Sequence, residues 1–233
     1  MNIVLNIPHS SVNGLFDRDI GKWQRNALFI NDCVNKWTDW YTDMLFSTDN
    51  PHVNQVVFPY SRFVCDAERL VEDPFEEIGQ GIIYTYYEDY KRGYLSDKGR
   101  ETLMNLWRKH QSRLVDSMDG KGSVIIDCHS FPSKLGDCDI CIGHNNDWSY
   151  DERLVSMVVD EFMKNGYTVK VNEPYGNSIT PKANFQYKSL MIEVNKRVYM
   201  NEKEMSLLSN PRQWNRWFGV MERIYRIILN RES

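Results

Sequence analysis

The sequence has little that would direct the chain to a membrane or to nucleic acid. None of its apolar runs approaches the roughly 18 residues of a membrane-spanning helix. The first eight residues are apolar but lack a basic stretch, which is not typical of a signal peptide. Positive charge is not in excess, because 28 Lys and Arg face 32 Asp and Glu, a formal net charge of -4. We therefore expect neither a membrane nor nucleic acid as a partner.

Cysteine is also scarce, with five residues at irregular spacing. The odd number favours free thiols in a reducing compartment, so we expect a cytoplasmic protein. Cys138 and Cys141 have the CxxC spacing, but no second pair lies near them to complete a structural zinc site. Residues 139–142 have the character of a strand, whereas a redox CxxC begins a helix. We interpret both cysteines as small buried side chains.

Internal repeats, low-complexity tracts and long linkers are absent as well. Hydrophobic residues make up 42% of the chain and charged residues 26%, which is typical of a globular domain. We interpret residues 1–233 as one domain.

Short aliphatic runs alternate with amphipathic segments along most of the chain. We predict strands at residues 1–7, 55–60, 122–127, 138–143, 167–171 and 189–194. We predict helices at residues 31–46, 97–119, 150–165 and 210–230. This alternation is typical of an α/β fold with three layers (α/β/α) and a mainly parallel mixed sheet. Trp214 and Trp217 have helical spacing and are expected in the core rather than on a partner-binding surface.

Residues that bind metals or transfer protons follow three of the predicted strands. His9 comes after the first strand, His129 follows the strand that ends near residue 127, and Glu193 lies in an otherwise aliphatic strand. Ligands of parallel sheets bind beyond the carboxyl ends of the strands, so we expect these side chains to meet. Two neutral imidazoles and one carboxylate suit a catalytic zinc ion with an open position for water.

The third ligand of such a site is not determined by spacing. Asp39 and Asp43 lie four residues apart on one face of the predicted helix, and either could supply the carboxylate. The alternative interpretation is that His9 and His129 are ordinary hydrogen-bonding residues at strand ends. His110, in the middle of a predicted helix, is expected to pack or to donate to the backbone.

Three further charged residues are candidates for catalysis or binding. A carboxylate such as Glu193 in a buried strand must be paired, bound to metal or shifted in pKa, which suits a general base or acid. Arg62 and Arg69 flank Asp66 in the loop after a predicted strand. They suit a substrate carboxylate or a developing oxyanion, but surface ion pairing is the simpler interpretation of their spacing.

The sequence resembles the N-formylglutamate amidohydrolase family, whose members are zinc hydrolases related in fold to carboxypeptidases and aspartoacylases. Five short segments match the family's motifs in the family's order. They are PHS at residues 8–10, TDWYTDML at 38–45, SRFVCDAER at 61–69, DCHS at 127–130 and IEVN at 192–195, the last followed by YM at 199–200.

The resemblance implies a role for each matching residue. His9, Asp39 and His129 would hold Zn²⁺. Glu193 would activate water as general base and acid, and Arg62 would polarise the scissile carbonyl. The remaining candidates would bind a small-molecule substrate, an N-formyl- or N-acyl-amino acid; they are Arg69, Ser130 and Asn195.

The sequence also departs from the family pattern. Ser11 stands where the family has Gly, and Ala67 and Glu68 stand where it has Leu and Asn. A negative charge beside Arg69 would oppose an acidic substrate, so the resemblance supports the reaction class more than N-formylglutamate itself. Two alternatives are a non-catalytic metal- or carboxylate-binding descendant of the fold and a zinc carboxypeptidase or murein-type amidase.

Overall fold

Strands and helices alternate along most of the chain. The computed structural model describes residues 1–23 and 26–231. The strands are β1 (Ile3–Ile7), β2 (Val53–Val57), β3 (Tyr86–Tyr87), β4 (Tyr90–Lys91), β5 (Val124–Phe131), β6 (Ile140–Gly143), β7 (Val169–Val171), β8 (Lys188–Asn195), β9 (Met200–Asn201) and β10 (Ser206–Leu207). The α-helices are α1 (Ala27–Phe29), α2 (Thr42–Leu45), α3 (Asp97–Asp116), α4 (Glu152–Lys164) and α5 (Pro211–Leu229). A π-helical segment (Ile30–Asn35) follows α1, and 3₁₀ turns are formed by Pro74–Ile78, Ser133–Leu135 and Lys196–Val198.

Six strands form the central sheet, in the order β2-β1-β5-β8-β6-β7. The first four run parallel to one another, β6 runs antiparallel to β8, and β7 is parallel to β6. Every residue of β1, β5 and β6 is buried, as expected of strands covered on both faces. The predicted mainly parallel mixed sheet is confirmed.

Two neighbouring residues of β5 show the three layers. Because successive side chains of a strand point to opposite faces, Ile125 and Ile126 enter different clusters. Ile125 packs in one cluster with Leu114 of α3. Ile126 packs in the other with Phe162 of α4 and Trp217 of α5. Helices therefore cover both faces, and the predicted α/β/α arrangement and the core position of Trp217 are confirmed.

Two predicted elements are wrong in ways that shape the site. The helix predicted over residues 31–46 is interrupted at residues 38–41, where Tyr41 has a φ of 64° in the left-handed region. The strand predicted to end near residue 127 continues to Phe131, so Asp127 and His129 lie within β5 rather than after it. The other predicted elements are present with slightly different ends, and the small hairpins β3–β4 and β9–β10 were not predicted.

The structure agrees with the interpretation of the cysteines. All five are free and buried. Cys141 lies in β6 and Cys138 shortly before it, so the CxxC spacing belongs to a strand region. No helix among the described residues combines the length and the apolar character that crossing a bilayer would need.

Candidate active site

Two buried histidines form the centre of the site. His9 follows β1, His129 lies in β5, and their exposed fractions are 1% and 3%. Their ring centroids are 5.1 Å apart, with the planes tilted by 52°. The neighbouring parallel strands β1 and β5 carry the two rings, so the pairing of these strands determines how the imidazoles meet.

Strand pairing also brings Glu193 to this place. Residues Asp127 and His129 are two apart in β5 and therefore point to the same face of the sheet. Glu193 of β8 is the register partner of His129. Glu193 is 9% exposed and lines the same cavity as His129. The predicted meeting of His9, His129 and Glu193 is therefore observed.

Asp39 reaches the histidines because the helix before it ends. Lys196 Nζ donates to the carbonyls of Lys36 (2.5 Å) and Thr38 (2.8 Å), the last carbonyls before Asp39. The Asp39 amide then donates to His9 O at 3.0 Å. Its Oδ2 lies 3.0 Å from His129 Nδ1 and 3.6 Å from His9 Nδ1.

Of the two aspartates that spacing left open, only Asp39 adjoins the histidine pair. The interruption of the helix separates Asp39 from α2, in which Asp43 lies exposed. A continuous helix would have kept both carboxylates on one face, but the observed backbone turns Asp39 toward His9.

The opposite nitrogen of each imidazole faces a carboxylate of its own. His9 Nε2 is hydrogen-bonded to Asp66 Oδ1 at 2.7 Å. His129 Nε2 lies 3.0 Å from Asp127 Oδ1, although the angle is not that of a hydrogen bond. Asp66 is held in turn by Arg62 Nη2, which donates to its Oδ2 at 3.1 Å, and by the Tyr84 hydroxyl.

Glu68 is a site residue that the sequence interpretation treated only as a departure from a motif. Its Oε2 lies 3.8 Å from His9 Nε2 and its Oε1 lies 3.7 Å from His129 Nε2. His9, Glu68 and His129 form a group whose ligand atoms all lie within 4.8 Å of one another, close enough to hold a metal ion. The sequence signal for Glu68 as a site residue is its position two residues after Asp66. Asp66 Oδ1 accepts a hydrogen bond from the Glu68 amide at 3.0 Å.

The clustered carboxylates shift the pKa of their neighbours. Burial raises the pKa of Glu193 to about 8; His129 opposes this rise and Asp39 adds to it. Burial lowers the pKa of His129, but Asp127 and Glu68 outweigh it and hold that pKa well above its ordinary value. Burial raises the pKa of Asp39, yet the His129 imidazole, hydrogen-bonded to it, and the His9 imidazole, 3.6 Å away, bring that pKa below its usual range. The site is thus negative enough to stabilise added positive charge.

Several buried polar atoms of the site lack a hydrogen-bond partner within the described part of the chain. They are His9 Nδ1, His129 Nε2, Glu193 Oε2 and Arg69 Nε. Buried polar atoms are normally satisfied, so the exceptions His9 Nδ1 and Glu193 Oε2 indicate groups able to bind a ligand, whereas His129 Nε2 faces Asp127 Oδ1 at 3.0 Å. Two imidazoles and adjacent carboxylates are a donor set that fits a divalent transition metal.

A cavity of about 770 Å³ opens onto this cluster. Six of the predicted site residues line it, namely Asp39, Arg62, Arg69, His129, Ser130 and Glu193. Ser130 Oγ lies 3.4 Å from Asp39 Oδ1 and accepts from the Tyr199 hydroxyl at 3.0 Å. The volume is in the range of sites for small molecules.

Asn195 does not lie where a substrate-binding residue would. It is absent from the cavity wall and fully buried. Its Nδ2 donates to the carbonyls of Gly136 and Cys138, and its Oδ1 accepts from the Arg197 amide. The side chain is thus occupied by the turn after β8, which corrects its predicted role.

The two arginines differ in how they are held. Arg62 contacts Asp66 and Tyr84, so part of its guanidinium belongs to the network behind His9. Arg69 lies over the Phe75 ring at 4.4 Å and is 3.8 Å from the carboxylates of Asp66 and Asp73, while its Nε forms no hydrogen bond among the described residues. The predicted surface ion pairing is present only in part, since the carboxylate of Asp66 is itself buried.

The solved structures that are similar to this chain include the following two. The N-formylglutamate amidohydrolase from Ralstonia eutropha JMP134 has a TM-score of 0.75, covers 98% of this chain and 93% of its own, and is 18% identical. A gene product from Agrobacterium tumefaciens has a TM-score of 0.65, covers 98% of this chain and 92% of its own, and is also 18% identical. At this identity the likeness concerns the fold. No curated protein matches the chain.

The family comparison goes further than the fold. The model described as N-formylglutamate amidohydrolase matches residues 1–200, a span that contains both histidines, all the carboxylates and both arginines of the site. The chain therefore belongs to the N-formylglutamate amidohydrolase family.

Proposed function

We propose that the protein is a zinc-dependent hydrolase that cleaves the amide bond of an N-formyl- or N-acyl-amino acid. The observation that supports it most is the approach of both histidine Nδ1 atoms to one Asp39 oxygen, at 3.0 and 3.6 Å, beside the unpartnered Glu193 carboxylate. Family membership supports amidohydrolase chemistry. The buried free thiols agree with a cytoplasmic location.

Two carboxylates compete for the place of third zinc ligand. Ligand atoms about 2.0–2.1 Å from a tetrahedral zinc ion lie roughly 3.3 Å apart. The distances from Asp39 Oδ2 to the two Nδ1 atoms bracket this value, whereas the Glu68 oxygens are 3.7 and 3.8 Å from the Nε2 atoms.

The surroundings of the two rings also favour Asp39. Metal-bound histidines typically turn their other nitrogen toward a carboxylate. Here the Nε2 atoms of His9 and His129 face Asp66 and Asp127. We therefore assign zinc to His9, His129 and Asp39, with Glu68 facing the site from the cavity.

Glu193 is the residue proposed to move protons. Bound zinc would polarise the substrate carbonyl and lower the pKa of a water molecule. Glu193 Oε2 is buried without a hydrogen-bond partner, and in its ionised form it would accept a proton from the attacking water and then return it to the leaving nitrogen. Arg62 lines the cavity at the same place and supplies positive charge for the oxyanion.

Arg69 is proposed to bind the substrate carboxylate. Its buried Nε has no hydrogen-bond partner, with Asp66 Oδ2 at 3.8 Å as the nearest carboxylate oxygen paired with it, and Phe75 holds the guanidinium plane. The rest of the wall is negative, because Glu68, Asp73 and Glu88 line it, while its basic side chains among the described residues are Arg62, Arg69 and the His129 assigned to zinc. A substrate with a single carboxylate fits this charge better than one with two.

Metal content and turnover test the proposal together. Untagged protein should contain about one zinc per chain by elemental mass spectrometry, and His129→Ala should lose it. The zinc-loaded protein should release formate or another acid from a panel of N-formyl- and N-acetyl-amino acids. Absence of zinc after reconstitution would contradict the metal site, whereas zinc without turnover would favour a non-catalytic binding protein.

A further inference from the structure

We infer that Asn6 and His110, neither of which lines the cavity, are positioning residues that hold the His129 imidazole with its Nδ1 free. This inference rests on the proposed zinc site. It concerns a chain of side chains that runs from α3, through β1, to β5. Neither Asn6 nor His110 is among the described residues that line the cavity, so neither is placed to contact a substrate there.

Three short contacts form the chain. His110 Nε2 lies 2.7 Å from Asn6 Oδ1, and Asn6 Nδ2 donates to Asp127 Oδ1 at 2.7 Å. The same Asp127 oxygen lies 3.0 Å from His129 Nε2. All four residues are at most 3% exposed, so water does not compete for these contacts.

The side-chain amide of Asn6 determines which groups in this row of side chains donate hydrogen bonds and which accept them. An amide has one accepting and one donating end, and a carboxylate only accepts. If Asn6 turned its oxygen toward Asp127, two acceptors would face each other. With Nδ2 toward Asp127, its Oδ1 accepts from His110, which must carry its proton on Nε2. Burial keeps His110 neutral by lowering its pKa to about 3.

The same order of hydrogen-bond donors and acceptors extends through Asp127 to His129. Asp127 Oδ2 accepts from the Ile179 amide at 3.0 Å, and Oδ1 accepts from Asn6. Both Asp127 oxygens thus accept from N–H groups, and Oδ1 also lies 3.0 Å from His129 Nε2, so Nε2 faces an acceptor and is the nitrogen placed to carry the proton. The lone pair of neutral His129 is then at Nδ1, which faces Asp39 Oδ2. These side-chain contacts thus determine that Nδ1 is the His129 nitrogen available to a metal.

The positions of these residues explain why they are polar. Asn6 is the polar member of the aliphatic strand β1 and the register partner of Asp127. His110 lies on the buried side of α3, one turn from Leu114. Burying such groups is costly unless they are hydrogen-bonded. Asn6 is bonded to Asp127 and His110 Nε2 to Asn6, while His110 Nδ1 has no hydrogen-bond partner among the described residues.

Zinc affinity tests the inference with matched variants. Metal-free protein is titrated with zinc alone against a chromogenic chelator. His110→Leu removes the donor, whereas His110→Gln keeps an N–H near the position of Nε2. Leu114→Ala is the control, since it disturbs the same helix and core without removing any contact in the row of side chains from His110 to His129.

We expect His110→Leu to bind zinc about tenfold more weakly than the wild type, and Asn6→Leu 10–100-fold more weakly, as for other groups that orient a metal-bound histidine. His110→Gln and Leu114→Ala should bind as the wild type does. Long-range ¹⁵N NMR of zinc-loaded protein should show His129 protonated at Nε2 in the wild type and mixed signals in Asn6→Leu.

The outcomes separate the two proposals. If the wild type binds no zinc, the proposed function fails and this inference with it. If the wild type binds zinc but His110→Leu binds equally well, the positioning role is overturned and the proposed function stands. A loss in Leu114→Ala equal to that in His110→Leu would also overturn it, because general loosening of α3 would then explain both. Should Asn6→Leu not fold, the His110 pair alone decides.

Discussion

His129 and Glu193 are register partners on β5 and β8, two adjacent parallel strands in the interior of the sheet. One carries the imidazole assigned to zinc and the other the carboxylate assigned to proton transfer. Their separation is therefore determined by backbone hydrogen bonds of the sheet rather than by a loop. This pairing makes the role of Glu193 testable without disturbing the metal site.

Glu193→Gln should abolish most turnover while zinc remains bound. The amide keeps the size of the side chain but cannot accept and return a proton, so kcat should fall about 10²–10⁴-fold. Turnover of the zinc-loaded variant and its metal content by elemental mass spectrometry check this. Loss of zinc along with activity would instead indicate that Glu193 helps to hold the metal.

Asp39→Asn and Glu68→Gln should differ in zinc affinity. If Asp39 is the ligand, its variant should bind zinc more than about 100-fold more weakly, because even a group that only orients a ligand is worth 10–100-fold. Glu68→Gln should change the affinity much less. Chelator competition on both variants decides, and the reverse order would move the third ligand to Glu68.

Glu68→Gln should widen the range of substrates toward acidic ones. Removing one negative charge near Arg69 should raise kcat/KM for an N-acyl amino acid with an acidic side chain relative to a neutral one, by about tenfold or ~1.4 kcal/mol. Glu88→Gln is the matched control, since Glu88 lines the same cavity but contacts Lys36 and Trp37. Equal shifts in both variants would mean that total charge, not Glu68, selects the substrate.

His110 should make the metal-free protein less stable as the pH falls. Burial lowers its pKa in the folded protein to about 3, while in the unfolded chain the imidazole takes up a proton near its ordinary pKa of 6.5. Between these values the unfolded state binds more protons, so the free energy of unfolding falls with falling pH by up to ~1.4 kcal/mol per unit. In His110→Gln, the free energy of unfolding should lack this decrease between pH 6.5 and 5.

Urea unfolding of both proteins with a chelator present measures the difference. The other histidines are common to both proteins and cancel in the comparison. Parallel curves for wild type and His110→Gln would show that His110 is not held neutral in the folded protein.

The elements of the sheet and three residues of the site could be predicted from the sequence because they depend on local patterns. β1 and β8 are aliphatic runs, and a histidine or carboxylate at or within such a run can be recognised as a site candidate without the tertiary structure. His9, His129 and Glu193 were found in this way. Strand pairing then brings them together.

The rest of the site depends on contacts that spacing does not reveal. The helix before Asp39 ends because Lys196, more than 150 residues later in the chain, donates to its last carbonyls. Glu68 approaches the histidines only through the loop that Asp66 anchors. His110 packs against the Phe58 ring as expected, but its hydrogen-bond partner is the Asn6 side chain, 104 residues away, rather than the backbone.

The interruption of the helix at residues 38–41 has a consequence for how the site comes apart. Amides of β5 and β8, in the middle of the sheet, should exchange with solvent only on global unfolding, whereas those around Asp39 and Glu68 belong to irregular segments that open at lower free energy. On warming, the segments that carry the Asp39 and Glu68 carboxylates should thus move away from the site before the strand that carries the His129 imidazole does. Zinc is then expected to dissociate from a chain whose sheet is still intact, so that heat inactivates the protein below its unfolding temperature and cooling with zinc restores it.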